Sequence, residues 1–300
     1  MTEHPPSLVI ENLPAEVRRP ILLAAFGGWN DAAECASGAV RFLLERCNPQ
    51  RLATIHPEEF YHFGLTRPEV HIRDGSQLRE IRWPTTDFYI SREPVLPRDV
   101  IFCLGSEPHL KWKTFCGLVL EVARKAGVDL LITFGALLAD VPHTRPVRVT
   151  GVASRPDLAT VFQTMPTRYE GPTGIVGVLN DASRRAGMDA VSLWASVPHY
   201  VSEVSNPHAT LALVRRLLTF LEWQTDLSEL EEAASEFDRQ LARIVAEKPE
   251  VARYIHELEE RHEGDEEGGK VPGGDLPSAT QLIKEVEQFL RDYRGEAGKD

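Results

Sequence analysis

The sequence predicts an α/β protein: a three-layer α/β/α sandwich around a mostly parallel sheet, with an all-helical extension at its C-terminal end. Three observations predict it. Short apolar runs at Ile21–Phe26, Asp99–Leu104, Leu130–Phe134 and Ala190–Val197 alternate with stretches of helical spacing, and strands buried on both faces carry such runs. Glycine follows three of the runs, at Gly27, Gly105 and Gly135, and Pro198 follows the fourth. Beyond residue 225 the apolar residues keep a helical period only, which sets the last quarter of the chain apart.

In chain order, Leu8–Ile10 reads as a short opening strand. Ile21–Phe26, bounded by Pro20 and Gly27, is the first buried strand. After the Gly27-Gly28 break, Asp31 can cap a helix beginning at Ala32, with Glu34 completing a capping box. Val40, Phe42, Leu43 and Leu44 form its apolar side. Its first two turns (Ala32, Ala33, Cys35 to Ala39) are nearly all small, a flat face open to close approach by the sheet or by a second subunit. Arg51–Ile55 is the next strand.

Residues 56–99 carry Pro57, Pro68, Pro84, Pro94 and Pro97 and the alternating pieces Val70–Ile72 and Leu78–Trp83, the pattern of a β-hairpin excursion with loops. Trp112–Ala126 has helical spacing and Gly127 stops it. Leu130–Phe134 is a strand ending at Gly135. A proline-marked loop, the alternating Val147–Val152 and a short helix at Leu158–Phe162 follow. Thr173 can cap a helix over 174–186, and Asn206 with Pro207 opens a helix over Pro207–Thr225.

With 300 residues, 42% of them apolar, the chain can bury one large core with an appendage, or two modest ones. Charge places the boundary near residue 225. Residues 1–225 hold 24 acidic and 23 basic side chains, whereas 226–300 hold 21 and 10. Within that acidic region, 264–275 (GDEEGGKVPGGD) reads as a flexible linker and Ser278–Arg294 as an amphipathic helix with Leu282, Val286, Phe289 and Tyr293 aligned. A net charge of −12 argues against nucleic acid as partner. Apolar runs are too short to span a membrane and no secretory signal opens the chain, so a cytoplasmic protein is expected. Cys35, Cys47, Cys103 and Cys116 are far apart and suit reduced packing residues.

In a parallel sheet the loops at the carboxyl ends of the strands form the usual binding rim. Here that rim would collect Gly27, Gly28, Trp29, Asn30, Asp31, Glu107, His109, His143, His199 and Tyr200 as candidate ligand-binding residues. Each has a plainer explanation. Asp31 suits a helix cap, Gly27-Gly28 a tight turn, and Glu107 a solvated loop carboxylate. Gly27-Gly28 and Thr173-Gly174 could receive an anion at a helix start, yet GxGxxG and the phosphate-loop pattern are both missing. The three histidines share no ligand spacing, and there is no HExxH, CxxC or GxSxG motif. No metal, no cofactor and no particular reaction is therefore expected.

Taken together, FGGWNDA (26–32), RPEVHI (67–72), REIRWPTT (79–86), DVIFCLGSEPHLKWKTFC (99–116), GALLADVPHTRPVRVTG (135–151), YEGPTGIVGVL (169–179) and VPHYVSEVSNPHATLALV (197–214) resemble the proteasome-assembly-chaperone family in its actinobacterial branch, over about residues 8–225. The resemblance implies a sandwich akin to purine nucleoside phosphorylases, a helical C-terminal addition and self-association, with a trimer as one form. It implies no established reaction, although ATP-dependent carboxylate–amine ligase activity has been inferred for some members. Members that dock on proteasome rings end in a hydrophobic residue, a tyrosine and a third residue. This chain ends in Gly-Lys-Asp and keeps Asp292-Tyr293-Arg294 internal, so docking by that tail is not expected. The leading expectation is a non-catalytic oligomer that binds proteins, proteasome subunits among them. The alternative is a nucleotide- or carboxylate-binding enzyme using the rim.

Overall fold

The computed structural model describes residues 6–73, 78–165, 167, 169–202 and 204–265. The chain runs through β1 (Leu8–Ile10), β2 (Ile21–Gly27), α1 (Cys35–Glu45), β3 (Gln50–Ile55), β4 (Glu69–Ile72), β5 (Arg79–Arg82) and β6 (Thr86–Ser91). It continues with β7 (Val100–Ser106), α2 (Trp112–Lys125), β8 (Leu130–Ala139), β9 (Val149–Ala153), α3 (Pro156–Val161) and α4 (Ile175–Arg185). Then come β10 (Asp189–Pro198), α5 (Pro207–Leu221), α6 (Ser228–Glu247) and α7 (Pro249–Asp265). The expected helix over Ser278–Arg294 and nearly all of the linker over 264–275 lie outside the described residues.

Eight strands form one sheet in the order β1-β3-β6-β7-β2-β8-β10-β9. The four apolar runs are its centre, β7-β2-β8-β10, and all four point the same way. The sheet is mixed rather than mostly parallel, because every outer pairing is antiparallel. One cause is β6. The sequence reads as loop there, yet Thr86–Ser91 joins the sheet and turns into β7 through a link without a helix, which returns the chain antiparallel. The expected excursion is confined to β4 and β5, a separate two-stranded hairpin with Val70, Ile72 and Ile81 exposed.

Alternation along the central strands builds two cores. Ile21, Leu23 and Ala25 of β2 face α1 and α5, whereas Leu22, Ala24 and Phe26 face α2 and α4. Helices thus cover both faces, as strands with no polar side require. The small-residue face of α1 is taken by α5 of the same chain: Cys35 Sγ lies 3.5 Å from the Asn206 carbonyl, and Thr210 Oγ1 lies 3.5 Å from the Cys35 carbonyl. β8 does not stop at Gly135 but runs on to Ala139. The bare Cα there lies under the Trp194 indole, where a Cβ would come within 2.6 Å, so this glycine makes room instead of breaking the strand.

A third core joins the C-terminal helices to the body. Phe237, Leu241 and Ile244 of α6 and Val251, Ile255 and Leu258 of α7 close over Tyr200, Val201 and Val204. Among the described residues, no helix is long and apolar enough to cross a membrane.

Candidate functional site

The rim exists, and it is tied in two separate knots. The first joins the turn after β2 to the N-termini of α1 and α4. Gly27 ends β2, and Gly28 turns the chain at a φ of 117°. The amide of Glu107 donates to the Gly27 carbonyl (2.7 Å), and Ala136 N donates to the Asn30 carbonyl (2.8 Å), so the turn is held from both neighbouring strands. Asn30 is wholly buried, and its Nδ2 donates to Glu107 Oε1 (2.6 Å). The same oxygen accepts from Ile175 N (2.8 Å). Glu107, not Thr173, therefore supplies the acceptor at the start of α4, where a carboxylate also opposes the positive end of the helix. A Cβ on Gly174 would stand 2.3 Å from Asn30 Oδ1 and 2.6 Å from Glu107 Oε1, so glycine is required for this contact.

Asp31 does cap α1, from farther back than expected. Its Oδ1 accepts from Ala36 N (2.7 Å) and Ser37 N (3.2 Å). A 3-10 turn over Ala32–Glu34 intervenes, with Ala33 and Glu34 at φ of 54° and 53°, so α1 begins at Cys35 and there is no capping box. Left-handed backbone costs non-glycine residues roughly 1–2 kcal/mol apiece, which the capped helix and the buried Asn30 anchor offset. Burial pushes the Asp31 carboxyl above its ordinary 3.8, against the pull of its hydrogen bonds to Ser37 and Ala36. Among the described residues, Asn30 Oδ1 and Asp31 Oδ2 are buried without a partner.

His109 belongs to neither knot. Its Nδ1 accepts from His62 N (3.1 Å) and its ring meets Tyr61 edge-on at 5.9 Å. Tyr61 in turn donates to the Ser106 carbonyl (2.6 Å), and burial pushes its phenol up to about 12. Trp29 is 62% exposed.

The second knot joins the ends of β8 and β10 to the C-terminal helices. His199 Nδ1 lies 3.1 Å from Asp140 Oδ1 and 3.3 Å from the Ala139 carbonyl, which makes Nδ1 the protonated nitrogen. Its Nε2 then accepts from the Tyr254 hydroxyl of α7 (2.7 Å). Tyr200 OH accepts from His143 N (2.7 Å) and donates to His143 Nδ1 (2.8 Å). Burial holds the His143 imidazole below its ordinary 6.5, despite the charges of Asp238 and Glu259, so the ring is neutral at pH 7. Thr144 donates to Glu259 of α7. Among the described residues, no hydrogen bond runs from this knot to the first.

Apart from Tyr254 and Glu259 of α7, the side chains of these knots lie in the stretches that carry the sequence resemblance, and residues 25–245 match the PAC2 family. The chain belongs to the PAC2 family. Its structure is similar to that of a PAC2 family protein from Streptomyces avermitilis, at 44% identity and a TM-score of 0.73, covering 79% of this chain and 99% of that one. It is also similar to a proteasome-assembly chaperone homologue from Mycobacterium tuberculosis, at 42% identity and a TM-score of 0.71, covering 78% and 99%. A Mycobacterium tuberculosis protein of unknown function matches at 25% identity and a TM-score of 0.78, covering 90% and 95%. No curated protein matches.

In this PAC2 chain Asp31, Glu107, His143 and His199 of the rim each make a hydrogen bond that ties loop to helix or loop to loop. Asp140, His199 and Tyr254 stand in series like a proton relay, yet burial and the Asp140 charge hold the Tyr254 phenol up at about 12. It stays protonated at neutral pH. A hollow between the 141–148 loop, the end of β10, the start of α5 and Phe237 of α6 measures about 20 Å³, far short of the roughly 300 Å³ at which small-molecule pockets begin. Among the described residues, no group of three or more His, Cys, Asp or Glu side chains could hold a metal. Sequence reasoning missed Tyr254 and the capping role of Glu107. The partners of each lie 55 and 68 residues away, beyond any local pattern.

Proposed function

We propose that this PAC2 protein is a non-catalytic, cytoplasmic homo-oligomer, with a trimer as one form, that binds other proteins as an assembly chaperone, proteasome subunits being its class of partner. One observation carries the reading. Glu107, Asp31, His143 and His199, the residues best suited to acid–base work, each bind a backbone amide or a side chain of another segment and so hold the rim rigid. A rigid end face suits recognition of a folded surface. The 42% identity to a proteasome-assembly chaperone homologue supports the choice of partner. Native mass spectrometry of the full chain with purified proteasome subunits tests it. A discrete mixed complex and faster ring assembly are expected; neither complex nor acceleration would overturn the reading.

A second reading, a nucleotide- or carboxylate-binding enzyme such as an ATP-dependent carboxylate–amine ligase, is favoured by the unpartnered Asn30 Oδ1 and Asp31 Oδ2. Buried acceptors call for a donor, which a bound amine would supply. The parallel centre covered by helices supports the likeness to purine nucleoside phosphorylases on which this reading draws. A thermal-shift screen decides, since a ligand at a hundred times its Kd adds about 2.7 kcal/mol.

A further inference from the structure

Arg148 is fixed by its backbone and unanswered in its side chain. Its carbonyl accepts from Ser196 N (3.0 Å), which holds it against β10 just before β9 begins. Its residue is half-buried, yet the guanidinium meets no acceptor among the described residues. Arg46, Arg98 and Arg216, half-buried to a similar degree, each donate to a side-chain oxygen. A guanidinium cannot shed its proton, so partial desolvation without an anion is a standing cost.

Arg148 lines the hollow together with Arg145, His143 and His208. Among the described residues, the acids that act on His143 are on the C-terminal helices. Asp238 of α6 already takes His208 Nε2 (2.7 Å), and Glu259 of α7 accepts from Thr144. The start of α5 adds the positive end of a helix whose first turn Asn206 caps by accepting from Ala209 N (3.0 Å). Arg148 thus leaves one positive charge at the hollow unmatched among the described residues, in a chain of net charge −12. Its volume of about 20 Å³ admits one water-sized group. A single carboxylate oxygen fits that space.

We propose that this hollow seats a carboxylate presented by a partner protein, one oxygen entering the hollow and pairing with the Arg148 guanidinium. The partner class rests on the protein-binding reading above; the seat itself is testable without any partner. The imidazole signals of the full chain are followed by NMR while acetate replaces chloride at constant ionic strength. The His143 and His208 signals should shift saturably, and acetate should raise the pH at which His143 titrates. Arg148→Gln should weaken acetate binding about tenfold, the loss of one charge-assisted hydrogen bond, at a melting temperature no lower than that of the unaltered chain, because this guanidinium holds no other segment. Arg148→Lys should fall between. No saturable shift, an equal response in Arg148→Gln, or a preference for inorganic phosphate over acetate would each overturn the proposal. A failed complex with proteasome subunits would remove the partner but leave the seat standing.

Discussion

The two halves of the rim use different chemistry for different jobs. The knot at Asn30, Asp31 and Glu107 is made of carboxylates and an amide that take the amides of α1 and α4, so it locks helices onto the sheet from within the body. The knot at His143, His199, Tyr200 and Tyr254 is made of imidazoles and phenols that reach across to α7, so it fastens an appendage. Carboxylate acceptors suit helix starts, where unpaired N–H groups collect. Ring pairs, such as His199 and Tyr254 at 5.8 Å, suit a seam between packed elements. The lesson is that acidic and histidine side chains at the ends of parallel strands can also hold the fold together.

The sharpest way to break this contrast is Gly174→Ala. It forces a methyl into Asn30 and Glu107 and should cost about 3 kcal/mol of global stability in urea unfolding; a loss under 1 kcal/mol, on the order of a tolerated surface change, would mean the first knot is loose. Glu107→Ala comes next. Removing the acceptor for both Asn30 Nδ2 and Ile175 N should cost about 2 kcal/mol, again across the whole body. Tyr254→Phe should behave differently. Losing one hydrogen bond costs about 1 kcal/mol, and limited proteolysis should show faster cleavage within α6 and α7 while the body stays resistant.

The smallest effects are those of pH, and they run in opposite directions. Asp31 has a raised pKa in the folded state, so its contribution is full below its ordinary 3.8 and is lost as pH rises through the raised value. Asp31→Asn keeps an acceptor for Ala36 and should flatten that slope. His143 has a lowered pKa, so the native state binds its proton less readily than the unfolded chain does. Stability therefore falls as pH drops below its ordinary 6.5 toward the lowered value. His143→Gln should remove the acid-side loss, read from melting temperature against pH.

Much of the scaffold was legible in the sequence, because a strand buried on both faces is apolar at nearly every position. Ile21–Phe26 and Leu130–Phe134 can hardly be anything else. Thr86–Ser91 was not legible. Its alternation is broken by Asp87 and flanked by Pro84 and Pro94, so local chemistry suggests a loop, and only pairing with β7 makes it a strand. Gly135 misleads for a related reason: its glycine answers to Trp194, 59 residues on by numbering, and not to a turn. At the rim, residue types drew attention to the loops that follow the four parallel strands. Which side chains meet was hidden, since Glu107 reaches α4 and His199 reaches α7 only after the sheet is assembled.

The contact between Cys35 and the Asn206 carbonyl spans 171 residues. During synthesis at 5–20 residues per second, α1 would wait roughly 10–30 s for α5 to emerge and cover it. For that interval the nascent chain shows a bare strip of alanine and cysteine to solvent, and burial of that strip waits on the last strand-to-helix turn of the body.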